Sequence, residues 1–286
     1  MAGASMKDIK LRIKSVESTR QITKAMELVA SSKLRRAKER AENSQPFFQV
    51  LMDSLQDIAA NSRREDSPFT AQRQGNKACY ILVAGDRGLA GGYNSNVLKL
   101  FHSKLDETPY CVLPIGKKAH EYVVKSGCKV LSDLYGSTEQ MDREQAHAVG
   151  LFLRDEFLKG SFDRLFLVYT TFRSMLSQVP ECIQLLPVEV AKKDKPAEKP
   201  AVRPLTLYEP SAVEVFDAII PEYLSGVTYG AVCESFASEQ AARRMAMDSA
   251  SKNATDMIAD LSLRYNRARQ GAITQEITEI VAGAEA

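Results

Sequence analysis

Two stretches at opposite ends of the chain carry apolar residues at helical spacing. In the first, Ile9, Ile13 and Val16 are spaced four and then three apart, and Ile22, Met26 and Val29 repeat that spacing after one skipped position. In the second, Met247, Ala250, Ala254, Met257 and Leu261 alternate three and four, the pattern slips at Arg264, and it resumes at Ala268 and Ala272. Neither Gly nor Pro interrupts Ala4 to Gln45 or Ala231 to Gln270. Segments of that length without a breaker, rich in good helix formers, predict two long helices.

A long helix is marginal in water unless an apolar stripe is buried. Alanines on the second stripe allow two helix axes to approach closely. The two ends are therefore expected to pair as an antiparallel coiled coil. A helix from Ala4 to Ala60 would span about 85 Å and one from Ser211 to Ala282 about 110 Å. If both leave the same middle domain, the C-terminal helix should overhang by about 25 Å, from about Arg267 onward. That overhang carries Ile273, Ile277, Ile280 and Val281. An unpaired apolar helix of this kind calls for something outside the chain to surround it.

Most glycines and prolines lie between Gly75 and Pro210, where the pattern changes. Cys79–Ala84, Tyr110–Ile115, Lys129–Leu134 and Arg164–Thr170 read as strands, and Asn94–Leu105, Lys117–Ser126 and Glu139–Lys159 as helices. This alternation predicts a mostly parallel sheet with flanking helices. Cys182–Val188 reads as a further strand, in antiparallel orientation, and the Lys/Pro/Ala stretch 191–204 as a flexible loop. The expected fold class is α/β plus a long antiparallel coiled coil. Its segments are an N-terminal helix at 1–62, an α/β domain at 75–208 and a C-terminal helix at 210–286.

Charge changes the picture by its distribution, since the net value is only +2. Residues 1–45 hold eleven Lys/Arg and five Asp/Glu, whereas the last sixteen residues hold three Glu and no base. Complementary partners at the two ends are expected. The positive residues are spread around the first helix with few aromatics among them, which disfavours a nucleic-acid face. The odd count of five dispersed cysteines and the three unclustered histidines argue against a disulfide framework and a metal site. No secretory leader and no run of eighteen apolar residues is found, so contact with a membrane is expected only through another subunit.

Gly85–Gly92 (GDRGLAGG) sits between a strand and a helix, where a nucleotide-binding turn would lie. It matches neither G-x-G-x-x-G nor the P-loop pattern. It reads instead as a tight turn with Asn94 or Ser95 capping the next helix. No nucleophile–base arrangement stands out, and no catalytic, cofactor or metal residue is assigned.

Three blocks carry a family resemblance. RIKSVESTRQITKAMELVASSKLRRA at residues 12–37, DRGLAGGYNSNV at 86–97, and SEQAARRMAM with YNRARQGAITQEITEIVAGA within 238–284 resemble the gamma subunits of F-type ATP synthases, in the same order and spacing. Ala90 and Gly271 depart from common family choices, and the cysteine-bearing insertion of light-regulated relatives is absent. The resemblance implies a non-catalytic central rotor stalk of a proton-translocating ATP synthase. Its implied partners are the alpha and beta subunits of the catalytic hexamer, the epsilon subunit and the membrane ring of c subunits, at the cytoplasmic face of the cell membrane. It further implies that Arg269, Gln270 and Thr274 engage a loop of a catalytic subunit, with Lys24 and Met26 on the opposite helix at the same level. Met26 equally suits packing in the seam. Tyr208 and Glu209 resemble the foot that touches the membrane ring. The readings from other classes are a free coiled-coil scaffold with an α/β interaction domain and a small α/β enzyme with helical arms.

Overall fold

A computed structural model describes residues 6–61, 67–73, 75–105, 110–133, 136–188 and 208–284. Its elements, in chain order, are α1 (Met6–Asn61), β1 (Ala78–Val83), α2 (Tyr93–Lys104), β2 (Tyr110–Ile115), α3 (Lys117–Lys125), β3 (Lys129–Val130), α4 (Arg143–Leu158), β4 (Arg164–Phe172), β5 (Gln178–Leu186) and α5 (Ala212–Ala284). The chain divides into two compact units, one of residues 33–242 and one of residues 1–32 with 243–286. The expected loop at 191–204 falls outside the described residues.

The larger unit is built on a five-stranded sheet in the order β3-β2-β1-β4-β5. The first four strands are parallel to their neighbours and β5 runs antiparallel to β4. Central β1 is buried along its whole length, and its alternate residues feed two cores. Cys79, Ile81 and Val83 join Leu153, Phe157 and Leu224, whereas Tyr80 and Leu82 join Val97, Phe101 and Val123. On the first face α4 lies directly against α5. A Cβ at Gly150 would meet the Pro221 carbonyl oxygen at 2.3 Å, so this crossing requires glycine.

Two elements are shorter than their sequence pattern suggests. Edge strand β3 stops at Val130, after which the Leu131 N–H still bonds the Val112 carbonyl of β2 at 2.7 Å. Helix α4 starts at Arg143 rather than Glu139. Asp142 forms a capping box with Gln145, and this sets the first turn.

In the smaller unit α1 and α5 run antiparallel, and their buried positions correct the apolar reading. On α1 the inward residues are Ile9, Ile13, Val16, Arg20, Thr23, Met26 with Glu27, and Ala30. This is an unbroken four–three repeat. Ile22 and Val29, expected in the seam, are 58% and 56% exposed. On α5 the inward set is Met247, Ser251, Ala254, Ile258, Leu261, Tyr265, Ala268 and Ala272, without the slip at Arg264. Met257 points outward at 46% exposure. Polar Thr23 and Ser251 occupy seam positions, so apolarity alone picks their neighbours instead.

Candidate functional site

The register of the helix pair is pinned by one polar contact. Thr23 Oγ1 and Ser251 Oγ lie 2.7 Å apart and are buried. Thr23 Oγ1 also donates to the Arg20 carbonyl at 3.0 Å, which uses its only hydrogen, so the Ser251 hydroxyl donates across the seam. Counting along both helices from this pair, Met6 faces about Ala268. Beyond that point no described residue of α1 lies opposite α5, which continues to Ala284. The sixteen described residues from Arg269 onward project about 24 Å. Residues 269–271 and 273–284 are exposed, and only Ala272 is half-buried. They present Ile273, Ile277, Ile280 and Val281 at 44%, 57%, 71% and 52% exposure.

The expected site residues separate into distinct places. Arg269, Gln270 and Thr274 come together on the projecting end. There Thr274 Oγ1 donates to the Gln270 carbonyl at 2.9 Å, leaving the Arg269 side chain exposed on the helix surface. Lys24 and Met26 are not at that level. Thr23 is opposite Ser251, and Arg269 lies eighteen residues beyond Ser251, about 27 Å along the helix. The shared level fails because it takes no account of where the two helices meet. Lys24 instead borders a shallow groove with Arg20, Asp248 and Lys252. Met26 is half-buried, in keeping with seam packing. Tyr208 and Glu209 belong to the larger unit. Tyr208 is half-buried against its main core, and Glu209 is exposed just before α5.

Several charges on the paired helices are matched within their own helix. Lys24 Nζ meets Glu27 at 2.8 Å, Lys252 Nζ meets Asp248 at 2.8 Å, and Arg264 meets Asp260 at 2.9 Å. The hydrogen bond from Lys252 holds the Asp248 carboxyl below its ordinary range. Such exposed pairs contribute little to stability. Between these charges the rod also carries outward apolar residues. Ile22, Leu28, Val29 and Leu263 are all more than half exposed. Ile22 and Val29, seven residues apart, share one outward face of α1 that sequence periodicity assigned to the interior, whereas Leu28, which it overlooked, lines the Lys24 groove. The signal was their displacement by one position from the four–three repeat.

The GDRGLAGG turn is a structural clamp. The Asp86 carboxylate accepts from the Lys117 and Thr138 backbone N–H groups and the Ser137 and Thr138 hydroxyls at 3.0–3.1 Å, and from the Glu139 N–H at 3.3 Å. Asn94 does not cap α2. Its side chain accepts from Gly85 N–H at 2.9 Å and donates to the Arg87 carbonyl at 3.2 Å, and the N-cap is Gly92 without a side-chain bond. Ser95 donates to the Gly92 carbonyl at 2.9 Å. The acidic side chain thus occupies the place a bound anion would need. Among the described residues no helix is long and apolar enough to cross a membrane, and no group of His, Cys, Asp or Glu could hold a metal ion.

A family model described as ATP synthase matches residues 5–286. The ATP synthase gamma chain of Ruminococcus albus is 50% identical over 282 residues, covering 97% of this chain and 96% of the relative. A gamma chain of Acetobacterium woodii described as sodium ion specific is 40% identical and covers 99% and 98%. In fold, the chain is similar to one in the central stalk and c-ring of the Tetrahymena thermophila mitochondrial ATP synthase, with a TM-score of 0.60 and 23% identity over 80% of this chain and 99% of that one.

Proposed function

This chain belongs to the ATP synthase gamma chain family, and from that premise we propose that it is the central rotor shaft of an F-type ATP synthase. The observation that carries the proposal is the projecting end of α5. It is a continuous helix, unpartnered by α1 among the described residues, that holds four large apolar side chains toward solvent. An apolar helix end is stable in water only inside a sleeve. A hexamer of alternating alpha and beta subunits is such a sleeve.

On this reading the paired part of α1 and α5 turns inside the hexamer and the α/β domain carries the coupling to the membrane. The functional segments are the N-terminal helix 1–62, the domain 75–208 and the C-terminal helix 210–286. The rod is chemically different on its different sides, with exposed Ile22 and Val29 on one face of α1 and the Lys24–Asp248–Lys252 groove, which Leu28 also lines, elsewhere. Each catalytic site therefore meets a different surface at each rotational angle. Its nucleotide affinity changes only by the difference between those contacts. The chain itself performs no bond chemistry and is a non-catalytic subunit of a translocating ATPase.

Within that assembly Arg269, Gln270 and Thr274 contact a loop of a catalytic subunit, and Lys24 and Met26 act at a second level about 27 Å away. Tyr208 and Glu209 stand on the ring of c subunits, beside the epsilon subunit. The chain then lies at the cytoplasmic face of the cell membrane as a peripheral component, and the translocated ion is the proton. The sodium-specific name of a relative 40% identical to this chain supports sodium as the second reading. The rotor role is the same for both ions. Native mass spectrometry of the complex purified through a tag on this chain tests the proposal. Co-purified alpha, beta, epsilon and c subunits are expected, and a homodimer of this chain alone would contradict it.

A further inference from the structure

The larger unit contains a cavity of about 620 Å³ that the rotor role does not use. It lies where α1, α4 and α5 meet one face of β4 and β5. Leu167, Ile183 and Tyr169 form its sheet side, and Tyr229 and Gly230 face it from α5. Its size and apolar walls fall within the range of small-molecule sites.

Two features show that the space is held open and asks for a cation. The first is Gly230, deep inside α5. A Cβ there would meet nothing within 4 Å. Helix propensity favours alanine at such a position by about 1 kcal/mol, so the glycine leaves room that the helix alone would fill. The second is Glu234, one turn further along the same helix and also in the lining. Its Oε2 is buried and has no hydrogen-bond partner among the described residues. Burial pushes this carboxyl up, with the Phe172 backbone N–H opposing that shift only in part. The nearby Arg173 guanidinium is engaged by Glu181 at 2.8 Å. Of the other charged groups in the lining, Glu42, Glu144 and Glu222 are acidic, against Arg143 and His147. His147 Nδ1 already lies 3.1 Å from Glu222.

We propose that this cavity binds a small organic cation, a primary or secondary amine carried on an apolar ring-sized body, with the ammonium donating to Glu234 Oε2 and the body lying against Tyr169, Ile183 and the open face of Gly230. An ammonium supplies the donor that the orphaned oxygen lacks, and the aromatic rings on either side favour a cation over a neutral group. The apolar body displaces water from walls that offer it few hydrogen bonds.

The test titrates the full-length chain with 4-phenylbutylamine and with its neutral analogue 4-phenylbutan-1-ol by isothermal calorimetry. The amine is expected to bind at least tenfold more tightly than the alcohol. Glu234→Gln keeps the shape and removes the charge, so it should erase that preference while leaving the alcohol unchanged. Gly230→Leu fills the space and should abolish binding of both, with helicity checked by circular dichroism. If Gly230→Leu unfolds the chain, the Glu234→Gln comparison alone decides. Equal affinities for amine and alcohol in the unaltered chain, no saturable binding of either, or an amine preference that survives Glu234→Gln would each overturn the proposal.

Discussion

The Ser251 hydroxyl donates to the Thr23 hydroxyl across 2.7 Å of buried helix seam, and Thr23 passes its own hydrogen to the Arg20 carbonyl. The pair therefore has a direction. Thr23→Val removes the acceptor and leaves Ser251 without its cross-seam partner. Ser251→Ala removes only the donor, and Thr23 keeps its bond to Arg20. The expected costs are about 1–2 kcal/mol for Thr23→Val and about half that for Ser251→Ala. The double variant should lie closer to the unaltered chain than the sum of the two. Chemical denaturation followed by circular dichroism measures all three. Additive losses would show that the hydroxyls do not interact.

Ile22 and Val29 face outward at 58% and 56%, whereas Ala30 beside them is 1% exposed. Ile22→Glu and Val29→Glu should change the stability of the isolated chain by no more than about 0.5 kcal/mol. They should nevertheless weaken its assembly with alpha and beta subunits, since each buries a charge inside the sleeve. Ala30→Leu should do the reverse, overpacking the seam at a cost of about 1–3 kcal/mol. Thermal melts of the free chain, set beside pull-down of the hexamer, separate the two effects.

The long helices were readable from the sequence because nothing in Ala231 to Gln270 can break a helix and because their seams repeat at helical spacing. The first four strands and their parallel pairing were readable for a similar reason, since short β-rich runs alternated with amphipathic ones, whereas β5 follows β4 with no helix between and pairs antiparallel to it. The phase of the seam was not. Thr23 and Ser251 sit inward because each satisfies the other, a fact that neither helix's own pattern contains. The same ignorance of register placed Lys24 level with Arg269. Asn94 looked like a helix cap because its position suits one, but its amide is used to close the preceding turn on Gly85 and Arg87. The Glu234 cavity left no sequence signal beyond Gly226 and Gly230, one turn apart in a helix.

Asp86 is ringed by donors from Lys117, Ser137, Thr138 and Glu139. Asp86→Ala should destabilise the α/β domain by about 1–3 kcal/mol, because charge-assisted bonds are lost and the part-buried Thr138 and Glu139 N–H groups lose their acceptor. Asp86→Asn should also destabilise it, less severely, since its amide must point a donor at donors. Denaturation midpoints of the two variants check the order. An Asp86→Asn chain as stable as the original would mean that the carboxylate charge plays no part in holding the turn.

Burial raises the Glu234 carboxyl above the ordinary glutamate value of 4.5. The folded state therefore holds this proton more tightly than the unfolded state. Below that value both states are protonated and Glu234 has no effect. As pH rises through the window between 4.5 and the raised value, the folded state alone resists ionisation, and stability falls. Glu234→Gln should remove that decline and give a more stable chain at neutral pH. Melting temperatures across that range, with and without the substitution, read the effect. An unaltered pH profile in the variant would mean that Glu234 ionises freely in the fold.

The most direct test of the rotor account places a photo-crosslinking residue at Ile277 on the projecting end of α5, and another at Leu176, 81% exposed in the β4–β5 connection, within the purified complex. Ile277 should crosslink to alpha or beta subunits in high yield and block ATP hydrolysis, while Leu176 should not reach the interior of the hexamer. If Ile277 crosslinks only to a second copy of this chain, or to nothing, the sleeve does not exist and this chain is not the shaft.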